Sequence, residues 1–314
     1  MDIAILIPCY QEELTIGKVV ADFRRELPKA KIYVYDNNST DATYAKARKA
    51  GAIVCREKKQ GKGYVVASMF ENIDADIYVL VDGDDTYDAQ SVHQLIAPLK
   101  NEEADMVVAN RLGNHRGSGF RKFHVFGNRL VCFFINMIFR SSIKDLFSGY
   151  RAMTKELVKT IPVIAFGFDI ETELTLQTLY RRFVIKEIDV PYGERPSGSE
   201  SKLRTVRDGI RVLVRAFFIF TSYKPLTFFG SIGIILCILG LLAGYQPVME
   251  YIRYHYVFSV PRAVLATAFM ILSSGAVALG LLLHSVNFRL LEIEKALIKR
   301  TLNSSKSRSK RSGN

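Results

Sequence analysis

The chain has no tryptophan, and its four cysteines (Cys9, Cys55, Cys132 and Cys237) are scattered without paired spacing. That arrangement offers neither a disulfide framework nor a zinc site, and it fits a reducing cytoplasm. The five histidines (His93, His115, His124, His255 and His284) share no metal-ligand spacing and read as surface or loop residues. No G-x-S-x-G elbow and no Walker A lysine motif occur, so neither of those sites is encoded. Gly61-Lys62-Gly63 lacks the third glycine of a dinucleotide fingerprint and does not follow the first strand, so it fails as a Rossmann signature. There is no internal repeat. Charge is missing altogether from two long apolar runs, 226–245 and 263–286, which contain no Asp, Glu, Lys or Arg.

A helix of about 20 residues rises roughly 30 Å, the thickness of a bilayer core, and core helices of soluble proteins seldom stay uncharged for so long. The two runs therefore read as two transmembrane helices. Their connection, 246–262, carries only two arginines, Arg253 and Arg262. The tail holds Arg289, Lys295, Lys299, Arg300, Lys306, Arg308, Lys310 and Arg311, and the stretch ahead of the first run is also arginine-rich. The positive-inside bias then places the large N-terminal domain and the tail in the cytoplasm. Met1 leads straight into a strand-like run, so no signal peptide is expected. The net charge of +12 comes largely from the membrane-proximal region and the tail. It reads as contact with anionic headgroups rather than nucleic acid, and 304–314 as a disordered, solvated tail.

The first half alternates strand-like runs (3–7, 31–35, 52–55, 77–81, 106–109) with helical spacing (14–26, 42–49, 64–72, 91–99). Nearly continuous apolar strands such as "IAILI" and "IYVLV" fit a parallel sheet covered on both faces. This predicts an α/β doubly wound, mostly parallel sheet, with ligands at the carboxyl ends of its strands. A glycine- and arginine-bearing loop follows at 112–122, then a helix over 123–140, a further strand over 184–190, and a polar loop over 191–202. Across 204–224, Arg204, Arg207, Arg211 and Arg215 share one helical face, opposed by Val206, Ile210, Leu213, Val214, Phe217 and Phe218. Such a helix either lies in the membrane interface or packs on the domain surface; its adjacency to the first apolar run favours the interface. The organisation read from the sequence is 1–203 catalytic domain, 204–224 juxtamembrane helix, 225–288 two spans with a short external loop, and 289–314 basic cytoplasmic tail.

Polar motifs stand at the predicted strand ends. Asp82-Gly83-Asp84-Asp85 follows "IYVLV", and carboxylates at alternate positions can present oxygens to one hard divalent cation, although Asp-rich turns are also common as plain structure. "PCYQEE" (8–13) closes the first strand and "DNNSTD" (36–41) the second, where an acidic residue can accept from a base or ribose. Asn38, Ser39 and Asp41 have turn and N-cap chemistry as their simpler reading, and for Asp41 that reading is preferred. Lys62, between its glycines at a helix start, can approach a phosphate.

Taken together these motifs resemble the family 2 glycosyltransferases of GT-A fold, most closely their polyprenyl-phosphate branch. "IPCYQEE", "YDNNSTD", "VDGDD", "ANR" ending at Arg111, "DLFSGYR" (145–151) and "ERPSGSESKL" (194–203) match family motifs in order, over nearly the whole chain. The resemblance implies that Pro8, Tyr10, Glu12 and Asp36 hold the nucleoside, and Lys62, read from its glycines, is added to the nucleotide-binding set. It implies that Asp82 and Asp84 bracket the diphosphate with Mg²⁺ or Mn²⁺. The acidic residue of "QEE" that matters is left open. Asn37 and Asn38 stand where the family often has Asp and Gly, and Thr86 where it often has Gln, so the third metal ligand is left to Thr86, Asp85 or water.

A phosphate monoester acceptor, with a second pKa of about 6, is already a competent nucleophile. Cations that hold it are therefore the requirement, and the candidates are Arg111, Arg129, Arg195 and Lys202, with Ser201 in the same loop. Asp145 either orients the acceptor or an arginine, acts as base, or caps a helix. The expected reaction is inverting transfer of a hexose to a polyprenyl phosphate. UDP-glucose is the preferred donor, other UDP-hexoses next, and GDP-mannose the alternative. The expected setting is a bacterial cytoplasmic membrane, with a homo-oligomer, by resemblance a tetramer. A processive polysaccharide synthase is disfavoured because its Gln-x-x-Arg-Trp motif needs a tryptophan, and two spans are few for a polymer channel. A non-catalytic scaffold of the same fold is the reading from another class.

Overall fold

The computed structural model describes residues 1–113, 122–163, 170–193, 218 and 221–311, with 122–126 and 294–311 as backbone alone. They fall into two compact units, Met1–Val212 and Leu213–Asn314.

In the first unit the strands are β1 (Ile3–Cys9), β2 (Lys31–Asp36), β3 (Ile53–Arg56), β4 (Ile77–Leu80), β5 (Met106–Asn110), β6 (Arg151–Thr154) and β7 (Ile185–Asp189). The helices are α1 (Ile16–Glu26), α2 (Thr43–Lys49), α3 (Lys62–Asn72), α4 (Val92–Lys100), α5 (Lys122–Phe139), α6 (Lys155–Thr160) and α7 (Ile170–Tyr180). One seven-stranded sheet results, in the order β3-β2-β1-β4-β6-β5-β7. β6 runs antiparallel to β4 and β5, and the other pairings are parallel.

The apolar strands follow from coverage on both faces. Along β1, Ile5 and Ile7 join one cluster with Val34, Val79, Phe23 and Leu95, while Ala4 and Leu6 join the other with Val66, Met69, Leu80 and Leu174. Alternate side chains of a strand point to opposite faces, so a strand buried on both must be apolar throughout. Each such Ile or Leu contributes about 1.5–3 kcal/mol through burial. Every polar motif is thereby pushed to the strand ends, where β1, β2, β4 and β5 deliver their loops to one edge.

The strands and helices expected from 3–109, the 123–140 helix and the 184–190 strand are all present, with ends shifted by one or two residues. β6, α6 and α7 were not expected. β6 has four residues and opens on a charged one, Arg151, which is wholly buried between β4 and β5, paired to Leu80 and Val108. α7 is buried nearly all round from Ile170 to Thr178, so it lacks the one-sided apolar stripe that betrays a surface helix.

The second unit holds α8 (Pro225–Tyr254) and α9 (Val260–Arg311). Both contain stretches long and apolar enough to cross a membrane: Pro225–Tyr254 at mean hydropathy 2.5, and Val260–Ile293 at 2.0. Small residues let them approach. A Cβ on Gly233 would lie 2.6 Å from Val277 Cγ2, one on Gly240 2.9 Å from Met270 Sδ, and Ser273 Oγ donates to the Gly233 carbonyl at 2.8 Å. The connection is shorter than the sequence suggests, because helix continues through Gln246–Tyr254 until His255 turns left-handed at φ 52°. Glu250 then accepts from Phe258 N, Ser259 N and Ser259 Oγ, satisfying donors at the start of α9. α9 runs on to Arg311 where a disordered tail was expected; a helix already nucleated costs little to extend, and the tail's Lys and Arg are good helix formers among its serines. Residue 218 and residues 221–223 are helical, Lys224 is the non-helical residue before α8, and the rest of the helix expected over 204–224 lies outside the described residues.

Candidate active site

The loop after β1 is fastened to the loop after β2. Gln11, at φ 54°, donates its N–H to Ser39 Oγ at 2.9 Å, and Glu12 N donates to Thr43 Oγ1 at 2.9 Å. Glu13 N donates to Asp41 at 3.2 Å, while the Glu13 carboxylate accepts from Ala42 N at 3.0 Å. Glu13 thus holds the start of α2. Asp41 accepts from Thr43 N and Oγ1 at 3.0 and 2.5 Å, which is turn and cap chemistry. Pro8 is buried in β1 opposite Tyr35, and Tyr10 is half-buried just beyond it. Asp36 is 1 % exposed at the end of β2, accepting from Ser39 N at 3.2 Å with Arg56 Nε at 3.8 Å.

Asn37 and Asn38 explain themselves in three dimensions. Asn37 donates to the carbonyls of Glu57 and Lys59 at 3.2 and 2.7 Å and accepts from Gly61 N at 2.7 Å. Asn38, left-handed at φ 62°, donates to the Lys58 carbonyl at 2.8 Å. A carboxylate at either place has no donor for those carbonyls. The two amides pin the 57–61 loop against β2, and so fix where Lys62 begins α3.

Lys62 is the electrostatic centre. Its ammonium donates to Asp82 Oδ1 at 2.5 Å and to Glu171 Oε1 at 2.5 Å, with 13 % of the side chain exposed. Burial alone would lower its pKa; the two carboxylates outweigh burial and raise it above the ordinary lysine range. Glu171, in the first turn of α7, was missed by the sequence reading. It lies 109 positions from Lys62, beside the similar Glu173, and its one signal is an acid in a helix with no polar face.

The Asp82–Asp85 turn is shaped by glycines. A Cβ on Gly83 would come within 2.6 Å of Cys9 Sγ, and one on Gly149 within 2.3 Å of Asp82 Oδ2. Asp84 is buried and accepts from Thr86 Oγ1 at 2.6 Å, and Asp85, at φ 59°, pairs with Lys18 at 2.6 Å. Of the candidates for a third metal ligand, Asp85 is therefore turned to α1 and the Thr86 hydroxyl to Asp84. Burial pushes the Cys9 thiol well up, and the negative charges of Glu12, Asp36, Asp82 and Asp84 push it further.

At the end of β5, Arg111 donates Nε and Nη2 to the two oxygens of Asp145 at 2.7 and 2.9 Å, and its own N–H to Asp145 Oδ2 at 3.1 Å. Asp145 is 1 % exposed, and its geometry matches the role of orienting an arginine. The turn carrying it is held from three sides. Asn128 accepts from Leu146 N and donates to the Lys144 carbonyl, Glu187 accepts from Lys144 N and Asp145 N, and Arg151 donates to the carbonyls of Leu146 and Ser148. Arg151 also donates to Thr175 Oγ1 at 2.7 Å, tying the same turn to α7. Arg129 is exposed on α5, one and two turns from exposed Phe133 and Met137. Arg195, Ser201 and Lys202 lie outside the described residues. The described chain reaches Gly193, whose N–H donates to the Thr86 carbonyl at 2.8 Å.

Among the described residues no three His, Cys, Asp or Glu side chains stand close enough to cage a metal ion. Asp82 and Asp84 nevertheless fit Mg²⁺ or Mn²⁺. They are hard oxygen donors two positions apart, the neighbouring thiol is held in its neutral form, and such ions are commonly bound by one or two carboxylates plus substrate phosphates and water.

A mostly parallel sheet with acidic groups and a buried lysine beyond its carboxyl ends defines an enzyme fold with a site suited to a phosphate-bearing ligand. Residues 4–161 match the family described as glycosyl transferase family 2, and the chain belongs to that family; it is a glycosyltransferase. Among its relatives is glycosyltransferase AglJ of Haloferax volcanii, 31 % identical over 92 % of this chain and 97 % of that one. Another is a dolichyl-phosphate hexose transferase of the same organism, 28 % identical over 67 % of this chain and 90 % of that one. Among solved structures, glucosyl-3-phosphoglycerate synthase of Mycobacterium tuberculosis, in complex with Mn²⁺, UDP and phosphoglyceric acid, superposes at a TM-score of 0.56. It is 22 % identical and covers 68 % of this chain and 78 % of that one, a likeness of GT-A-like fold.

Proposed function

We propose that the chain transfers a hexose from a nucleotide-sugar, a UDP-hexose with glucose first, to the phosphate of a polyprenyl lipid. Residues 1–203 form the catalytic domain, and the two apolar helices anchor it to a cytoplasmic membrane with domain and tail on the cytoplasmic side. The observation that carries this reading is the presence, in one chain, of a carboxylate-and-lysine site at the sheet edge and two helices of membrane length. A relative named for dolichyl-phosphate hexose transfer supports the lipid phosphate as acceptor.

In this reading Pro8, Tyr10, Glu12 and Asp36 hold the nucleoside beyond β1 and β2. Asp82 and Asp84 hold Mg²⁺ or Mn²⁺, which neutralises the leaving diphosphate when bound. Lys62, at the start of α3, faces the same diphosphate. The lipid phosphate, largely dianionic at pH 7, needs no general base. One of its oxygens forms a bond to the anomeric carbon while the bond from that carbon to the diphosphate breaks, inverting the centre. Arg111 supplies a guanidinium fixed in direction by Asp145, so little orientational entropy is lost when it meets phosphate. Arg129, beside Phe133 and Met137, presents a cation next to apolar side chains, which suits a phosphate carried on a lipid. Arg195, Ser201 and Lys202 are proposed to complete the acceptor site.

The test is transfer of radiolabel from UDP- and GDP-sugars to undecaprenyl phosphate by detergent-solubilised protein, with and without Mn²⁺, with Asp84→Ala as control. An organic-extractable product from one donor, lost with EDTA and in the variant, establishes the reaction and names the sugar. GDP-mannose as sole donor replaces the UDP-hexose. No labelled lipid from any donor, with folded protein, overturns the acceptor.

A further inference from the structure

Lys62 faces two carboxylates, and the proposed reading uses only one of them. If Asp82 takes a divalent cation, the Lys62 ammonium cannot stay 2.5 Å from the same carboxylate without strong like-charge repulsion. Nor can it stand alone, since 13 % of the side chain is exposed and a buried unpaired ammonium is costly. Glu171 resolves the conflict. It is 5 % exposed, sits in the first turn of α7, and already accepts from Lys62 at 2.5 Å. Its backbone carbonyl accepts from Thr175 Oγ1 at 3.0 Å, and Thr175 in turn accepts from Arg151, so the turn that carries Glu171 is braced against the sheet. A carboxylate buried this deeply costs stability unless paired, and Lys62 is the partner it has.

We propose that Glu171 is a positioning residue of the donor site: it retains Lys62 when a divalent cation takes Asp82, making Lys62 an exchangeable internal counter-ion. This rests on the reading of Asp82 as a cation ligand. Before the cation arrives, Lys62 neutralises Asp82. Afterwards the ammonium remains on Glu171, close enough to face the donor's diphosphate, and Asp82, Glu171 and Lys62 each touch an opposite charge at either stage.

The experiment measures Mn²⁺ affinity, not turnover, by the electron paramagnetic resonance of free Mn²⁺ in solutions of the full-length protein in detergent with UDP. Glu171→Gln should weaken Mn²⁺ binding about tenfold, because Lys62 then has only Asp82 to hold. Lys62→Met should tighten it. In the Lys62→Met background, Glu171→Gln should change affinity by less than about threefold, the part due to lost negative charge alone. An equal loss with and without Lys62, or no loss at all, overturns the proposal. Absence of Mn²⁺ binding by the unsubstituted protein overturns the cation reading of Asp82, and this inference with it, so the two failures are distinguishable. If Glu171→Gln does not fold, Glu171→Asp replaces it: its shortened carboxylate should give a partial loss that Lys62→Met abolishes, and unchanged affinity overturns the proposal.

Discussion

Replacing Asp145 by asparagine isolates the Arg111 pair. The carboxylate accepts three N–H groups from Arg111, at 2.7, 2.9 and 3.1 Å, and the pair is nearly dry, with 14 % of the arginine side chain and none of the aspartate exposed. Removing one partner of a buried pair costs about 3–5 kcal/mol. Asparagine keeps one acceptor oxygen, worth about 1 kcal/mol, so a net loss of roughly 2–4 kcal/mol is expected. For a unit of this size, 1 kcal/mol moves Tm by about 2–4 °C, giving a drop of roughly 4–16 °C. With no tryptophan to report unfolding, the melt is followed with a thiol-reactive maleimide, since Cys9 and Cys132 are buried until the domain opens. Adding Arg111→Gln should recover part of the loss, because the unpaired guanidinium is then gone. A drop below about 2 °C, or strictly additive losses in the double variant, would refute a desolvated, mutually dependent pair.

Asn37→Asp removes the donors that reach Glu57 and Lys59 and sets a second carboxylate beside Asp36. UDP affinity by calorimetry should fall about 5- to 150-fold, from a cost of about 1–3 kcal/mol, and unchanged affinity would count against the pinned 57–61 loop. Gly149→Ala puts a methyl 2.3 Å from Asp82 Oδ2. Mn²⁺ binding should drop while the melt shifts by only a few degrees; intact binding would remove Asp82 from the cation site. Burial raises the Glu187 carboxyl above its usual range, although the N–H groups of Asp145 and Lys144 pull it down. A raised folded value means its contribution is full below the unfolded pKa of about 4.3 and is lost as pH rises through the folded one. The Tm of Glu187→Gln should therefore gain on the unsubstituted protein between about pH 4 and 7, and a flat difference would exclude the linkage.

The strand-end motifs were legible because burial on both sheet faces leaves polar residues nowhere else to go. Asp82 and Asp84 after "IYVLV", Asp36 after "KIYVY" and Arg111 after "MVVAN" all follow from that one rule. β6 was not, because four residues beginning with arginine carry no strand pattern; the arginine is there to bind the carbonyls of Leu146 and Ser148. Nor could "QEE" be divided from sequence. The division comes from the start of α2, which takes Glu13, while Glu12 is among the groups acting on Cys9. Glu171 stayed hidden because an ion pair 109 residues apart has no local signature.

The charges of the site argue for a cation more strongly than any single ligand does. Glu12, Asp36, Asp82 and Asp84 all add negative charge to the surroundings of Cys9, and of the cations near them Arg56 pairs with Asp36 while Lys62 pairs with Asp82 and is shared with Glu171. On the proposed reading, the ligand that enters carries a diphosphate. Two anionic groups brought within about 4 Å repel by several kcal/mol at the effective dielectric of a protein site. Lys62 cannot offset that alone while it also balances Asp82. A divalent ion held by Asp82 and Asp84 would reverse the sign of the interaction, provided that Glu171 keeps Lys62. On the proposed reading, the carboxylate excess that would repel a bare nucleotide becomes the attraction for a metal-bound one, and the second carboxylate on Lys62 is what would allow the exchange.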